Sequence, residues 1–251
     1  MRSEYAWLPA HDDPTQTGPY QVGVAFSGHR GLPWESGERS VVGDIRPGSA
    51  VVTAADGVTW LRVAEPTEAL EIYPDPALLR AVAGGPVAIV RPVVGAADGV
   101  VLGIGSVLRR VHALDTHLSD VAASTLAHRL AAHLLTRYGG VPLPPGPGTL
   151  DARAVDRVAA YVDSTPAGPL TLDRLAAVAA LSPYHFARSF KAATGLTPHE
   201  FVTCRRMDRA RRLLRSEPVE AVAGAVGFSN LSHFRRVFRR HTGLPPSAYR
   251  N

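Results

Sequence analysis

Cysteine is nearly absent from this 251-residue chain, with Cys204 as its single representative. One thiol cannot form an intramolecular disulfide or a cysteine-ligated zinc cluster, and such scarcity fits a reducing compartment, so the cytoplasm is the expectation. Histidine clusters are missing as well: no His-x-His pair occurs, and only His11 and His29 precede residue 100. No metal site and no cofactor is therefore expected. The segment "GIGSVL" lacks the third glycine of a dinucleotide loop, and no Gly-x-Ser-x-Gly elbow is present. Cys204 falls in an arginine-rich helical stretch and reads as a buried helix residue rather than a reactive thiol. The chain reads as a non-enzyme. Long apolar runs are lacking too: "MRSEYAWLPAHDDP" holds no signal-peptide core, and residues 81–108 are interrupted by Arg91, Asp98, prolines and glycines. No membrane span and no membrane partner is expected.

Lysine occurs once, at Lys191, which leaves the basic charge to arginine. That charge is unevenly placed, with 11 basic and 14 acidic residues up to position 150 and 16 and 8 after it, for local net charges of −3 and +8. Such asymmetry fits either a solvated basic face or a polyanion partner, since arginines that neutralise phosphates release condensed counterions.

The stretch "GGVPLPPGPG" carries no periodic apolar pattern and reads as a semi-extended linker. It divides the chain into an N-terminal domain, 1–138, a Pro/Gly-rich linker, 139–149, and a C-terminal domain, 150–251. Short β-type runs fill the first part: "YQVGVAF", "SAVVTA", "VTWLRVA", "ALEIY" and "VAIVRPVV". Their spacing predicts a small antiparallel sandwich or barrel. Helical patterns follow in "DPALLRAVA", near 100–112 and over 117–138, where Val121, Leu126, Leu130 and Leu134 form an apolar stripe. That stripe either covers the β domain or meets its copy in a second chain. Beyond the linker every apolar run recurs at helical spacing, with Thr171 and Ser182 as N-caps, Pro183 at a first helical position, and Gly195 and Gly243 at helix ends. The fold class expected is therefore α+β and multidomain.

One pattern is written twice. "HFARSFKAATGLTPHEF" begins at His185, and "HFRRVFRRHTGLPPSAY" begins at His233. Each copy follows an alanine-rich segment and a tight turn, and within each the two phenylalanines stand four apart on a face that Arg188 and Arg236 do not share. This is the layout of a helix-turn-helix unit, whose second helix enters the DNA major groove while the first braces it.

On "LSPYHFARSFKAATGLTPHEF", "CRRMDRARRLL" and "VGFSNLSHFRRVFRRHTGLPPSAYR", residues 150–250 resemble the DNA-binding domain of AraC/XylS-type transcription regulators. The resemblance implies a seven-helix domain with two helix-turn-helix units joined by a long helix, here about 199–215. It places base reading on Tyr184, His185, Ala187 and Arg188 in the first unit and on Leu231, Ser232, Arg235 and Arg236 in the second. Arginine suits guanine bidentately, so Arg188, Arg235 and Arg236 are the preferred base readers. Phosphate contacts are expected from Ser182, Lys191, Arg205, Arg209, Arg212, Ser229, Asn230 and Arg239. The series Arg205, Arg206, Arg209, Arg211 and Arg212 reads as a phosphate-facing stripe or a solvated face, with Arg206 at a position the family uses structurally. His185 and His233 read equally as helix-surface or packing residues. Ala180 stands where the first turn often has glycine, which predicts a differently formed turn.

Residues 1–138 look like the small cupin-type sensing domain that such regulators often carry, followed by dimerising helices. In "VTWLRVA", Trp60 and Arg62 share one strand face, a stacking surface beside a cation for a small anionic or aromatic effector, or else a tryptophan covering the sheet with its arginine in water. The function expected is a sequence-specific DNA-binding transcription regulator, a homodimer modulated by a small-molecule effector or protein partner. Its operator would be double-stranded DNA with two boxes about one helical turn apart per chain. Activation of transcription would bring in RNA polymerase as a further partner. The alternatives are a cupin-type small-molecule enzyme carrying a DNA-binding tail, against which the missing metal ligands argue, and an architectural protein without sequence preference.

Overall fold

The computed structural model describes residues 1–87, 92–143 and 148–249. The chain forms two compact units, one of Met1–Gly105 with Leu118–Pro145 and one of Ser106–His117 with Gly146–Asn251. The sequence boundaries assign 106–117 to the first domain, whereas these residues pack with the second unit. Part of the expected linker, 144–147, lies outside the described residues.

The first unit contains two antiparallel sheets. The five-stranded sheet has the order β1-β8-β3-β6-β9, built from β1 (Arg2–Leu8), β3 (Val22–Ala25), β6 (Ser49–Val52), β8 (Thr67–Tyr73) and β9 (Val93–Ala96). The four-stranded sheet has the order β2-β7-β4-β5, built from β2 (Thr15–Gln16), β4 (His29–Ser36), β5 (Arg39–Ile45) and β7 (Thr59–Trp60). Ala25 and Val51 from one sheet join Leu32 and Ile45 from the other in a shared apolar cluster with Val63. Strands β3 and β6 are buried along their whole length, which is why they read as near-continuous apolar runs. The runs around 20–26, 49–54 and 69–73 are strands as expected. Of the run 87–94 only the end enters β9, and 88–91 lie outside the described residues. Strands β1, β4 and β5 carried no clear signal, because they are half-exposed and mix arginine and glutamate with apolar residues.

Period-2 geometry sorts the side chains of β8. Leu70 and Ile72 are fully buried on one face, and Ala69 and Glu71 stand on the other, toward the second sheet. The Leu70 face continues into Val22 and Val24 of β3, both fully buried and each contributing about 1.5 kcal/mol or more by transfer from water. Helix α2 (Gly99–Ala113) reaches this face at Gly105, where an added Cβ would lie 2.8 Å from a Val24 methyl group. The absence of a side chain there allows the close approach.

Asp98 starts α2, its Oδ1 accepting from the Val100 and Val101 backbone N–H groups at 3.0 and 2.9 Å. Its Oδ2 lies 2.7 Å from His133 Nε2 and accepts from the Tyr138 hydroxyl at 2.6 Å. His133 lies in the last two turns of α3 (Asp120–Arg137) and Tyr138 is its C-cap, so one carboxylate ties two helices together. Burial alone would push the Asp98 carboxyl up, but the His133 and Tyr138 contacts and the backbone N–H hold it down at about 2. The apolar stripe of α3 is used within its own unit: Leu126, Leu130 and Leu134 are buried, and Ala131 and Leu135 pack with Leu79 of α1 (Pro76–Ala83). Val121, expected on that stripe, is instead 77% exposed.

The second unit contains α4 (Ala152–Ser164), α5 (Leu172–Val178), α6 (Pro183–Thr194), α7 (Pro198–Leu213), α8 (Val219–Ala225), α9 (Leu231–Thr242) and a closing 3-10 turn, Pro246–Tyr249. The expected joining helix, 199–215, is α7, started by a capping box in which Thr197 and Glu200 each satisfy the other's backbone. The repeat is a repeat of packing. Phe186, Phe190 and Phe201 form one aromatic chain with ring centroids 5.2 Å apart at each step. Phe234, Phe238 and Tyr249 form the second, at 5.6 and 5.3 Å. The Thr194 hydroxyl lies 2.9 Å from the Phe190 carbonyl and 3.1 Å from that of Leu196, and Thr242 repeats this at 2.9 Å to Phe238 and Leu244.

Candidate nucleic-acid interface

Each helix-turn-helix unit turns through the same backbone device. At the end of α5, Leu181 N–H donates to Ala176 O and Ala180 N–H to Ala177 O, both at 3.0 Å. At the end of α8, Phe228 N–H donates to Ala223 O at 2.9 Å and Gly227 N–H to Gly224 O at 3.0 Å. This nested pair is the Schellman ending, which requires a left-handed residue, and Ala180 (φ 58°) and Gly227 (φ 79°) supply it. The turn at Ala180 is therefore not differently formed: the alanine adopts the glycine conformation. The second connection is one residue longer before its recognition helix begins, and Asn230 caps that helix by accepting from His233 N–H at 2.8 Å. Ser182 holds the N-cap position of α6 without a side-chain hydrogen bond, while Pro183 occupies the first turn.

With Phe186, Phe190, Phe234 and Phe238 fully buried, the opposite sides of α6 and α9 are left to solvent. On α6 this side carries Tyr184, His185, Arg188 and Lys191, with Ala187 half-buried beside them. On α9 it carries Ser232, Arg235, Arg236 and Arg239. Tyr184, Arg188 and Lys191 follow the i, i+4, i+7 spacing of one helical stripe, and Ser232, Arg236 and Arg239 repeat it. Arg235 bonds Glu220 of α8 at 3.3 Å, an exposed pair that holds the arginine loosely. Ser229 and Asn230 are exposed at the start of α9. His185 is exposed with its ring 5.8 Å from that of Tyr184, and His233 is exposed with its ring 5.4 Å from Phe228. Leu231 departs from the expected set: it is half-buried and packs against the core cluster of Met207, Phe234 and Phe238, so its side chain supports the fold.

The arginine series on α7 departs further. Arg205 is buried, with Nε and Nη2 donating to the Asp163 carboxylate at 2.8 and 2.6 Å. It also faces Asp208, 3.8 Å away. Asp208 in turn pairs with Arg109, the buried arginine of α2. Burial opposes ionisation of Asp208, but Arg109 and Arg205 together hold its carboxyl below the usual range. Arg211 is buried with its guanidinium 5.1 Å from the Tyr249 ring. Arg206 donates to the carbonyls of Pro166 and Gly168 at 3.0 and 2.8 Å, the structural role the resemblance implied. Arg209 is half-buried, and Arg212 is half-buried with Nη1 donating to the Asp208 carbonyl at 3.2 Å. Arg205 and Arg211 are thus internal charges, not phosphate-facing ones. The reason is helical period: α7 joins the two helix-turn-helix units and buries more than one face, and on some of those faces arginine is charge-paired with aspartate. Cys204 is buried on the same helix, and burial pushes its thiol up to about 12, which leaves it inert. Among the described residues no group of three or more His, Cys, Asp or Glu side chains is placed to hold a metal ion, and no helix is long and apolar enough to cross a membrane.

A family model described as a helix-turn-helix domain matches residues 175–251. The chain carries an AraC-type helix-turn-helix domain at its C-terminus. Its curated relatives include the HTH-type transcriptional regulator YobQ of Bacillus subtilis, 38% identical over 37% of this chain and 39% of that protein. The HTH-type transcriptional activator RhaS of Escherichia fergusonii is 33% identical over 57% of this chain and 54% of its own length. AdaA of Bacillus subtilis, 32% identical over 40% of this chain and 48% of that protein, is both a transcriptional activator and a DNA repair enzyme. Among solved structures, the DNA-binding domain of AdpA in complex with a target DNA is 34% identical, covering 37% of this chain and 85% of that one, with a TM-score of 0.35. The chain thus spans about half or less of the curated relatives it matches.

The expected effector surface is not assembled. Strand β7 ends at Trp60, so period-2 alternation does not carry on to Arg62. Trp60 lines an interior cavity between the sheets, whereas Arg62 is exposed and pairs with Asp12 at 2.8 Å. Among the polar side chains that share the cavity with Trp60 is Glu71, which carries no mark in the sequence motifs. Its one signal was position, a glutamate alternating with Leu70 and Ile72 in an otherwise buried strand.

Proposed function

We propose that this protein is a sequence-specific transcription regulator that binds double-stranded DNA through the AraC-type domain, with the N-terminal unit as its sensing module. The observation that carries this reading is the duplicated solvent-facing stripe, Tyr184-Arg188-Lys191 and Ser232-Arg236-Arg239, on two helices held by the same turn and the same aromatic packing. Arg188 and Arg236 act as base readers, Arg235 contributes beside them, and Lys191, Arg239, Ser182, Ser229 and Asn230 meet phosphates. The two recognition helices flank α7, whose 16 residues span about 24 Å at 1.5 Å per residue. One chain then reads two boxes about one helical turn apart, with slight bending of the DNA.

The cytoplasm is the compartment for such a regulator. Homodimerisation, a cupin-like ancestry for the two-sheet unit and contact with RNA polymerase belong to the same reading and rest on the resemblance. The reading is of a non-enzyme, in line with the transcription-regulator names of most relatives. Footprinting the purified protein on the DNA upstream of its own gene is the test: two protected boxes one turn apart support it, and uniform coverage without preferred sequence refutes it.

A further inference from the structure

The first unit contains a cavity of about 110 Å³ between its two sheets. Its walls are mostly apolar, with Val51 from one sheet and Leu32, Ile45 and Trp60 from the other. Glu71 stands among them on β8. Gln21 Nε2 donates to Glu71 Oε2 at 2.5 Å. Gly23 on the neighbouring strand leaves the room the carboxylate fills, since a Cβ there would lie 3.2 and 3.3 Å from its two oxygens. Among the described residues no cation pairs with this carboxylate, and none of the residues lining the cavity is an arginine or lysine. Glu4 stands opposite Glu71 in register on β1 and adds negative charge at the edge of the sheet. The basic side chains of the lining are His11 and His29. His29 shares a short contact of 2.7 Å with the Thr67 hydroxyl, and burial favours its neutral form.

A carboxylate set into an apolar cavity is unfavourable unless it takes up a proton, meets a cation or accepts enough hydrogen bonds; above neutral pH, where the proton leaves, a cation is the partner it lacks. One donor, Gln21, covers one oxygen. We propose that this cavity binds a small ligand bearing a protonated amine, its ammonium group on the Glu71 carboxylate and its short apolar body against Val51, Leu32, Ile45 and Trp60. The inference rests on reading the N-terminal unit as a sensing module, and it replaces the anionic effector suggested by Arg62 with a cationic one. Size limits the ligand: an engineered cavity of about 150 Å³ accommodates benzene, so this cavity takes a body of roughly five heavy atoms. Trp60 adds an aromatic wall, favourable to a cation as well as to apolar surface.

The test compares isobutylamine, isobutanol and isobutyrate by isothermal titration calorimetry on the full-length protein at about pH 8, where alkylamines stay protonated. Isobutylamine should bind, with isobutanol weaker and isobutyrate not measurable. Glu71→Gln, nearly isosteric, should weaken the amine roughly ten- to a hundredfold and leave the alcohol unchanged. Ala69→Leu, which fills the cavity from the same strand, should remove binding of both the amine and the alcohol. The proposal is overturned if no amine binds, if isobutyrate binds as tightly as the amine, or if Glu71→Gln retains full amine affinity. DNA binding is measured on the same preparation. Its failure would strike at the regulator reading, whereas amine binding is read without DNA.

Discussion

Ala180 and Gly227 occupy the same left-handed position in the two helix-turn-helix units, with φ of 58° and 79° and the same nested pair of backbone hydrogen bonds. The first turn thus holds an alanine in a conformation that disfavours a Cβ by about 1 kcal/mol. Ala180→Gly relieves that strain but enlarges the entropy of the unfolded chain, so its net effect should lie between zero and about 1 kcal/mol of stabilisation. Gly227→Ala should lose about 1 to 3 kcal/mol, because its Cβ would also lie 2.9 Å from the Arg206 guanidinium and 3.2 Å from Ala167 Cα. Urea unfolding of the two variants checks this asymmetry; equal losses at both positions would contradict it.

Internal and external arginines should separate cleanly. Arg205→Ala removes a buried, charge-paired side chain, leaving Asp208 to Arg109 alone and Asp163 to solvent, and should destabilise the protein by about 3 kcal/mol, with any loss of DNA affinity following from unfolding. Arg188→Ala should leave the melting curve within about 0.5 kcal/mol of the parent, since its side chain is exposed. Thermal melts alongside DNA titrations distinguish the two, and an Arg205→Ala protein that is fully stable but weak on DNA would restore Arg205 as a phosphate contact.

Base readers and phosphate contacts leave different signatures. Arg236→Ala should lose about 1 to 3 kcal/mol on the preferred sequence and relax preference at one base position. Arg239→Ala should weaken all sequences alike and lower the salt dependence by about one unit of slope. Binding-site selection with both variants decides the matter. Sequence-independent losses in both would reduce Arg236 to a backbone contact.

Two carboxylates of the first unit respond to pH with opposite sign. Asp98 is held near 2 in the folded state, below its unfolded value, so its stabilisation is present above about pH 4 and disappears as pH falls toward 2. Glu71 is raised to about 7, first by burial and further by Glu4, against the Gln21 hydrogen bond. Its favourable contribution is therefore complete below the unfolded carboxylate range and is lost as pH rises through about 7. Glu71→Gln should flatten the fall in stability between about pH 4.5 and 7, a difference of about 2 to 3 kcal/mol. Asp98→Asn should instead flatten the acid limb. Denaturant melts across this pH range test both, and an unchanged profile in either variant would remove that carboxylate from the account.

Much of the second unit was legible because its signals are local. The His185 and His233 copies, the capping residue Thr171, Pro183 in a first turn and the glycines at 195 and 243 each act through neighbours within one or two helical turns. A repeated local pattern folds twice into the same device, which is why the buried phenylalanines and the outward arginines of α6 and α9 follow from spacing alone. The direction of the α7 arginines did not follow. An arginine's own neighbours in sequence do not say whether an aspartate from another helix waits beside it: Asp208 is a neighbour on α7 itself, but Asp163 comes from α4 and Arg109, which shares Asp208, from α2. The β region shows the same division. Alternation placed Leu70 and Ile72 on one face of β8, but whether Glu71 on the other faced water or a second sheet depended on β2, β4, β5 and β7. Pairing over long separations decides such burial, so Trp60 and Glu71 were brought together, and Arg62 left outside, by the tertiary structure.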